Sequence, residues 1–138
     1  MENLFLAFAD KTRLRLLNLM RSGEVCVNLF SESLTLSQPK VSRHLAYLRN
    51  TGVVSTRRHG KWIYYGINSS ISSRGNRVLI ETLDWLASQP AMQIDYEKLV
   101  VLSRRQQKLQ PDDQEQELTH EEIYPVYERS EEIETFLL

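Results

Sequence analysis

Ser37-Gln38-Pro39-Lys40-Val41-Ser42-Arg43-His44-Leu45-Ala46-Tyr47-Leu48-Arg49, followed by Asn50-Thr51-Gly52, is the stretch whose reading decides the fold. Ser37 can cap a helix, and Pro39 falls in its first turn, where a missing N–H costs little. Val41, Leu45 and Leu48 repeat at helical spacing and give the core-facing side, and Gly52 is a stop signal. With Val41 inward, Pro39, Ser42, Arg43, Ala46, Tyr47 and Asn50 point outward and Lys40 lies beside them. Ser42 and Ala46 are small enough to let such a helix approach a groove closely.

The flanking sequence completes a pattern. Upstream, Leu4, Phe5 and Phe8 suggest a short helix. Asp10 can cap a second, striped by Leu14, Leu17 and Met20 and stopped near Gly23. Val27, Phe30 and Leu34 predict a third, joined through Thr35 and Leu36 to the Ser37 helix. Downstream the period changes from 3.6 to 2. Val54–Arg58 and Lys61–Ile67 read as two strands around a His59-Gly60 turn, so that Arg58 faces Lys61, Thr56 faces Ile63 and Val54 faces Tyr65. Val54, Thr56, Ile63, Tyr65 and Ile67 then share a buried face, with Arg57, Trp62 and Tyr64 on the other. A fifth helix is expected from Ser73 to Ser88, stopped by Pro90, with an apolar band wider than one domain face needs. Asp95 is the expected cap of a sixth, with Leu99, Leu102 and Leu109 on one side. The fold class is mainly α with a β-hairpin, a winged helix-turn-helix.

The formal net charge of −1 is a cancellation. Residues 1–70 hold ten Lys/Arg against four Asp/Glu, and residues 71–110 hold six against four. Residues 111–138 hold Arg129 against ten acids. A basic body is thus joined to an acidic segment, a pattern that points to nucleic acid. Three parts are expected: 1–90, a DNA-binding and dimerisation domain; 91–110, a helical extension; and 111–138, the acidic tail. Thr119-His120-Glu121-Glu122 has capping-box form, and Pro125 interrupts any helix soon after. The tail reads either as a solvating appendage or as a segment that docks on the basic body and competes with DNA. The run Leu4–Ala9 is too short for a signal peptide, and no window reaches membrane-spanning length.

The candidate DNA-binding residues are Ser37, Gln38, Lys40, Ser42, Arg43, His44 and Tyr47 on the helix, with Arg57, Arg58 and Lys61 on the hairpin. Gln38 can donate to and accept from base edges, and the cations suit phosphate. A protein-interaction adaptor using Trp62, Tyr64 and the tail is the rival of another class. No nucleophile–base pair, carboxylate dyad, metal set or phosphate-cradling glycine loop is visible, so neither an enzyme nor a cofactor is expected.

At three places the chain resembles the ArsR/SmtB family of bacterial repressors. Leu4-Phe5…Ala9-Asp10-Lys11-Thr12-Arg13-Leu14-Arg15-Leu16-Leu17 is similar to its opening signature. Ser37–Arg49 is similar to its recognition helix, and Gly52-Val53-Val54 through Arg57-Arg58-His59-Gly60-Lys61-Trp62-Ile63-Tyr64-Tyr65 to its wing. Lys11 stands where the family usually has Pro. The resemblance covers roughly 2–90 and implies a cytoplasmic homodimer on a two-fold-related double-stranded operator, released by an inducer. Dimerisation through the first and fifth helices would use Leu4, Phe5, Phe8, Leu79, Leu83 and Leu86.

The sensor is the open point. The arsenical branch of the family carries a Glu-Leu-Cys-Val-Cys-like box, whereas this chain has Glu24-Val25-Cys26-Val27-Asn28. Trivalent arsenic takes two or three thiolates, and Cys26 is the sole cysteine. Glu81 and Asp84 lie on the fifth helix without a histidine, and His44, His59 and His120 do not cluster in sequence, so no zinc site is expected. Cys26 reads as a small apolar residue at a helix start, as a redox or electrophile sensor, or as a residual metalloid ligand. The expected inducer is unidentified and not a thiolate-chelated metal.

Overall fold

The computed structural model describes residues 2–109. The order is α1 (Glu2–Phe8), α2 (Lys11–Leu19), β1 (Val25–Cys26), α3 (Val27–Leu34), α4 (Gln38–Asn50), β2 (Val54–His59), β3 (Trp62–Ile67), α5 (Ser73–Ala87) and α6 (Pro90–Leu109). The tail readings, including the Thr119 capping box, lie outside the described residues.

Local chemistry sets the first boundaries. The Asp10 carboxylate accepts from the Arg13 N–H at 3.1 Å and starts α2. Thr35 closes α3 in the left-handed region at φ 54, and only two residues separate α3 from the Ser37 cap of α4. This is the tight turn of a helix-turn-helix. Gly52, at φ 78, follows the end of α4 and turns the chain into β2.

The hairpin register differs from the sequence expectation. Val54 faces Ile67, Thr56 faces Tyr65 and His59 faces Trp62, so the two-residue loop is Gly60-Lys61 rather than His59-Gly60. Gly60 has φ 59 and occupies the first central position, where a II′-type loop takes glycine. The correction moves each partner by two positions, which preserves the faces. Val54, Ile63 and Tyr65 are buried as expected, and Arg57, Trp62 and Tyr64 share the opposite side. A third strand, β1, pairs Val25 with Tyr65 and Cys26 with Tyr64, giving the order β1-β3-β2. Two residues are too few to leave a period in the sequence.

A second correction concerns α6. Pro90 does not merely end α5; it opens α6, and Asp95 lies in the second turn of that helix, not at its cap. The Asp95 carboxylate is buried and takes a two-pronged contact from Arg15 of α2, Nε at 2.8 Å and Nη2 at 3.0 Å. Arg15 Nη2 also donates to the Leu34 carbonyl at 3.1 Å, at the last residue of α3. Its guanidinium is held further into the charged form, chiefly by the hydrogen bond to Asp95. Beside it, Asn18 Nδ2 donates to the Met92 carbonyl at 2.9 Å, and Arg21 stacks 3.9 Å above the Tyr96 ring. This polar seam flanks a core that includes Leu16, Leu17, Phe30, Leu45, Leu48, Leu79, Leu86 and Leu99.

Asp95→Ala leaves Arg15 without its carboxylate in a half-buried place, and should lower the unfolding free energy by about 3 kcal/mol in urea titrations. The double variant Arg15→Met with Asp95→Leu should recover most of that loss.

Candidate nucleic-acid interface

The Ser37 hydroxyl accepts from the Lys40 N–H at 3.4 Å and fixes the start of α4. Val41, Leu45 and Leu48 are buried, as the spacing predicts. Ala46 is buried too, against the expectation that it points outward. A methyl side chain lets α4 sink deeper, so the outward face narrows to Gln38, Pro39, Lys40, Arg43 and Asn50, with Ser42 partly exposed.

Two expected DNA-facing residues have partners inside the protein. Tyr47 lies under Arg13, whose guanidinium carbon is 4.1 Å from the ring centroid. Arg13 also donates to the Leu6 carbonyl at 2.8 Å and the Ala7 carbonyl at 3.1 Å, so one side chain ties the end of α1 to α4. His44 Nδ1 lies 3.7 Å from Asp10 Oδ1, linking α4 to the cap of α2. Burial pushes the His44 imidazole below its ordinary pKa, with Arg13, Lys40 and Arg43 adding to that and Asp10 opposing it. Burial acts to raise the Asp10 pKa, but the Arg13 N–H, nearby His44, the Arg13 charge and the Thr12 N–H outweigh it and hold it below the usual carboxylate value.

The wing has a tethered base and an exposed tip. Arg57 Nε contacts Glu24 Oε2 at 2.7 Å, and its guanidinium sits 4.9 Å from the Tyr64 centroid. Arg58, His59, Gly60 and Lys61 are exposed, with Lys61 Nζ 5.3 Å from the Trp62 ring. Between Glu32 and Glu81 the chain has no acidic residue and eight Lys/Arg. Both α4 and the wing fall inside that run. Glu24 reaches the wing from outside it, a partnership 33 residues apart that leaves no local signal.

The structure buries most of the sequence-predicted subunit-contact residues, and Cys26 with them. Leu4, Leu79, Leu83 and Leu86 are buried in the protomer's own core, and Phe8 is partly buried. Of that set only Phe5 is widely exposed, at 55%. The other large exposed apolar side chains of α1 and α5 are Leu6, Val78, Ile80 and Trp85. Cys26 is buried at the start of α3 without a side-chain capping bond. It lines a cavity of about 340 Å³ with Glu24, Tyr64, Tyr96, Leu99 and Gln106. Among the described residues no three His, Cys, Asp or Glu side chains gather as a metal site, and no helix is long and apolar enough to cross a membrane.

A capped helix with a basic, acid-free outer face beside a cationic hairpin tip defines a winged-helix DNA-binding regulator. Residues 10–56 match the family described as "Bacterial regulatory protein, arsR family". Over 104 residues the chain is 38% identical to the arsenic resistance transcriptional regulator ArsR1 of Pseudomonas putida, covering 75% of this chain and 80% of that one. It is 33% identical to the transcriptional repressor SdpR of Bacillus subtilis over 86 residues, covering 62% of this chain and 88% of that one. Reduced HlyU from Vibrio cholerae has a similar structure, with a TM-score of 0.54 and 33% identity over 64% of this chain and 88% of that one. The chain belongs to the ArsR family, and it is a DNA-binding transcriptional repressor of that type, not an enzyme.

The His44 environment has a consequence for stability. The unfolded chain takes up a proton near pH 6.5, and folded His44 resists until a lower pH. Its contribution is therefore complete above 6.5 and falls as the pH drops from there to the folded value. Urea unfolding across that window should show a loss that His44→Gln flattens.

Proposed function

We propose that the chain acts in the cytoplasm as a homodimer that occupies a two-fold-related operator. Gln38, Lys40 and Ser42 read base edges from the start of α4, and Ser37 places that start. Arg43, Arg58 and Lys61 hold phosphates, with Arg57 joining them from its Glu24 tether. His44 and Tyr47 act by setting the angle of α4 through Asp10 and Arg13. The observation that carries the reading is the acid-free run from residue 33 to 80, which spans both α4 and the wing. A surface of that sign attracts the phosphate backbone and gives salt-dependent affinity.

Support for the dimer comes from Phe5, Leu6, Val78, Ile80 and Trp85, apolar side chains left exposed on α1 and α5. The Pseudomonas putida relative is named for arsenic resistance, but a chelated arsenite is a poor inducer here. One buried thiol per chain falls short of the two or three that arsenic takes. Release by an inducer other than a thiolate-bound metal follows from that chemistry.

Arg43→Ala should weaken operator and non-cognate DNA alike and reduce the slope of log affinity against log salt by about 1, whereas Gln38→Ala should cost about 1–3 kcal/mol on the operator alone. Normal binding by both variants would remove α4 as the reading helix. Trp85→Glu should convert the dimer to monomer in sedimentation. Operator release by stoichiometric arsenite that disappears in Cys26→Ala would overturn the metal-independent inducer.

A further inference from the structure

The basic face has a second candidate occupant within the same chain. Residues 111–138 carry ten acids against one arginine, a net −9, while residues 1–110 carry +8. Three acids of the body have placed partners: Asp10 caps α2 and lies 3.7 Å from His44, Asp95 holds Arg15, and Glu24 contacts Arg57 at the wing's base. Lys40, Arg43 and Lys61 are exposed in a run that holds no carboxylate.

The place where the chain leaves the body matters as much as its charge. Ser103, Gln106 and Gln107, in the last turns of α6, line the same cavity as Glu24 and Tyr64. Glu24 and Tyr64 are the two residues that hold Arg57 of the wing. The last turns of α6, to which the acidic segment is joined in sequence, therefore lie beside the base of the wing. The segment's 28 residues can span up to about 95 Å, against a radius of gyration of about 13 Å for a body of this size. Tethering so many charges to their target gives an effective concentration on the order of millimolar.

We propose that segment 111–138 occupies the basic face of α4 and the wing when DNA is absent, and that operator DNA must displace it. The occupancy stands on charge and tether alone; only the competition rests on the operator-binding reading. Because both contacts are screened by salt, the segment lowers operator affinity most at low ionic strength. It also makes the salt dependence of the full chain shallower, since DNA replaces one polyanion with another.

The test uses the full chain and a full-length variant in which each Asp→Asn and each Glu→Gln change is made within 111–138. Without DNA, amide nitrogen–proton spectra at about 50 mM salt should differ between the two at Gln38–Tyr47 and Arg57–Trp62, and the differences should fade at about 300 mM. Core amides such as Leu16 and Leu48 should stay in place, which verifies the fold. On operator DNA the variant should bind roughly tenfold tighter at low salt, with a steeper salt slope, and the two should converge at high salt. Spectra that agree at α4 and the wing, or that differ only elsewhere, would overturn the occupancy. Spectral differences with equal operator affinities would overturn the competition. Failure of both proteins to bind any operator would instead sink the operator reading, with the spectra still deciding the occupancy.

Discussion

One guanidinium holds the reading head together. Arg15 grips the buried Asp95 carboxylate of α6 with two nitrogens and the Leu34 carbonyl at the end of α3 with one of them. Helix C-termini expose carbonyls that need donors, and here the donor comes from the helix preceding α3 in the chain. That contact anchors the last residue of α3; Thr35 then turns the chain, and Ser37, three positions after Leu34, caps α4. A half-buried ion pair is weak evidence for net stability. Its value here is geometric, because three helices meet at one planar group whose five donors allow few arrangements.

The same economy extends to the other cations. Arg13 closes α1 and stacks on Tyr47; Arg57 ties the wing to Glu24 and Tyr64. These side chains orient the surface, while Lys40, Arg43, His59 and Lys61 remain exposed on it. The cations of this surface divide into those tied to other side chains or carbonyls and those left exposed on α4 and the wing tip.

The helix-turn-helix was legible because its signals are local: a Ser cap, an early Pro, a 3.6 stripe and a terminating Gly within sixteen residues. The hairpin was legible in its faces but not its loop, since a two-position slip in pairing leaves the alternation unchanged. β1 was illegible because two residues have no period. Asp95 looked like a cap because Asp is a good one; its true partner stands 80 residues away. The charge face was readable as composition, yet the Glu24–Arg57 tether and the burial of Ala46 needed three dimensions. For the same reason Leu79, Leu83 and Leu86 looked available to a partner when the protomer's own core takes them.

The overall −1 conceals a polyanion-binding surface and a polyanion in one chain. The most direct test of the central claim is hydrogen–deuterium exchange with and without operator duplex. Slowed exchange should concentrate at the amides of Gln38–Tyr47 and of Arg57–Trp62, where α4 and the wing would meet DNA. Protection confined to α6 or to the α1 and α5 surface, with α4 unchanged, would contradict it.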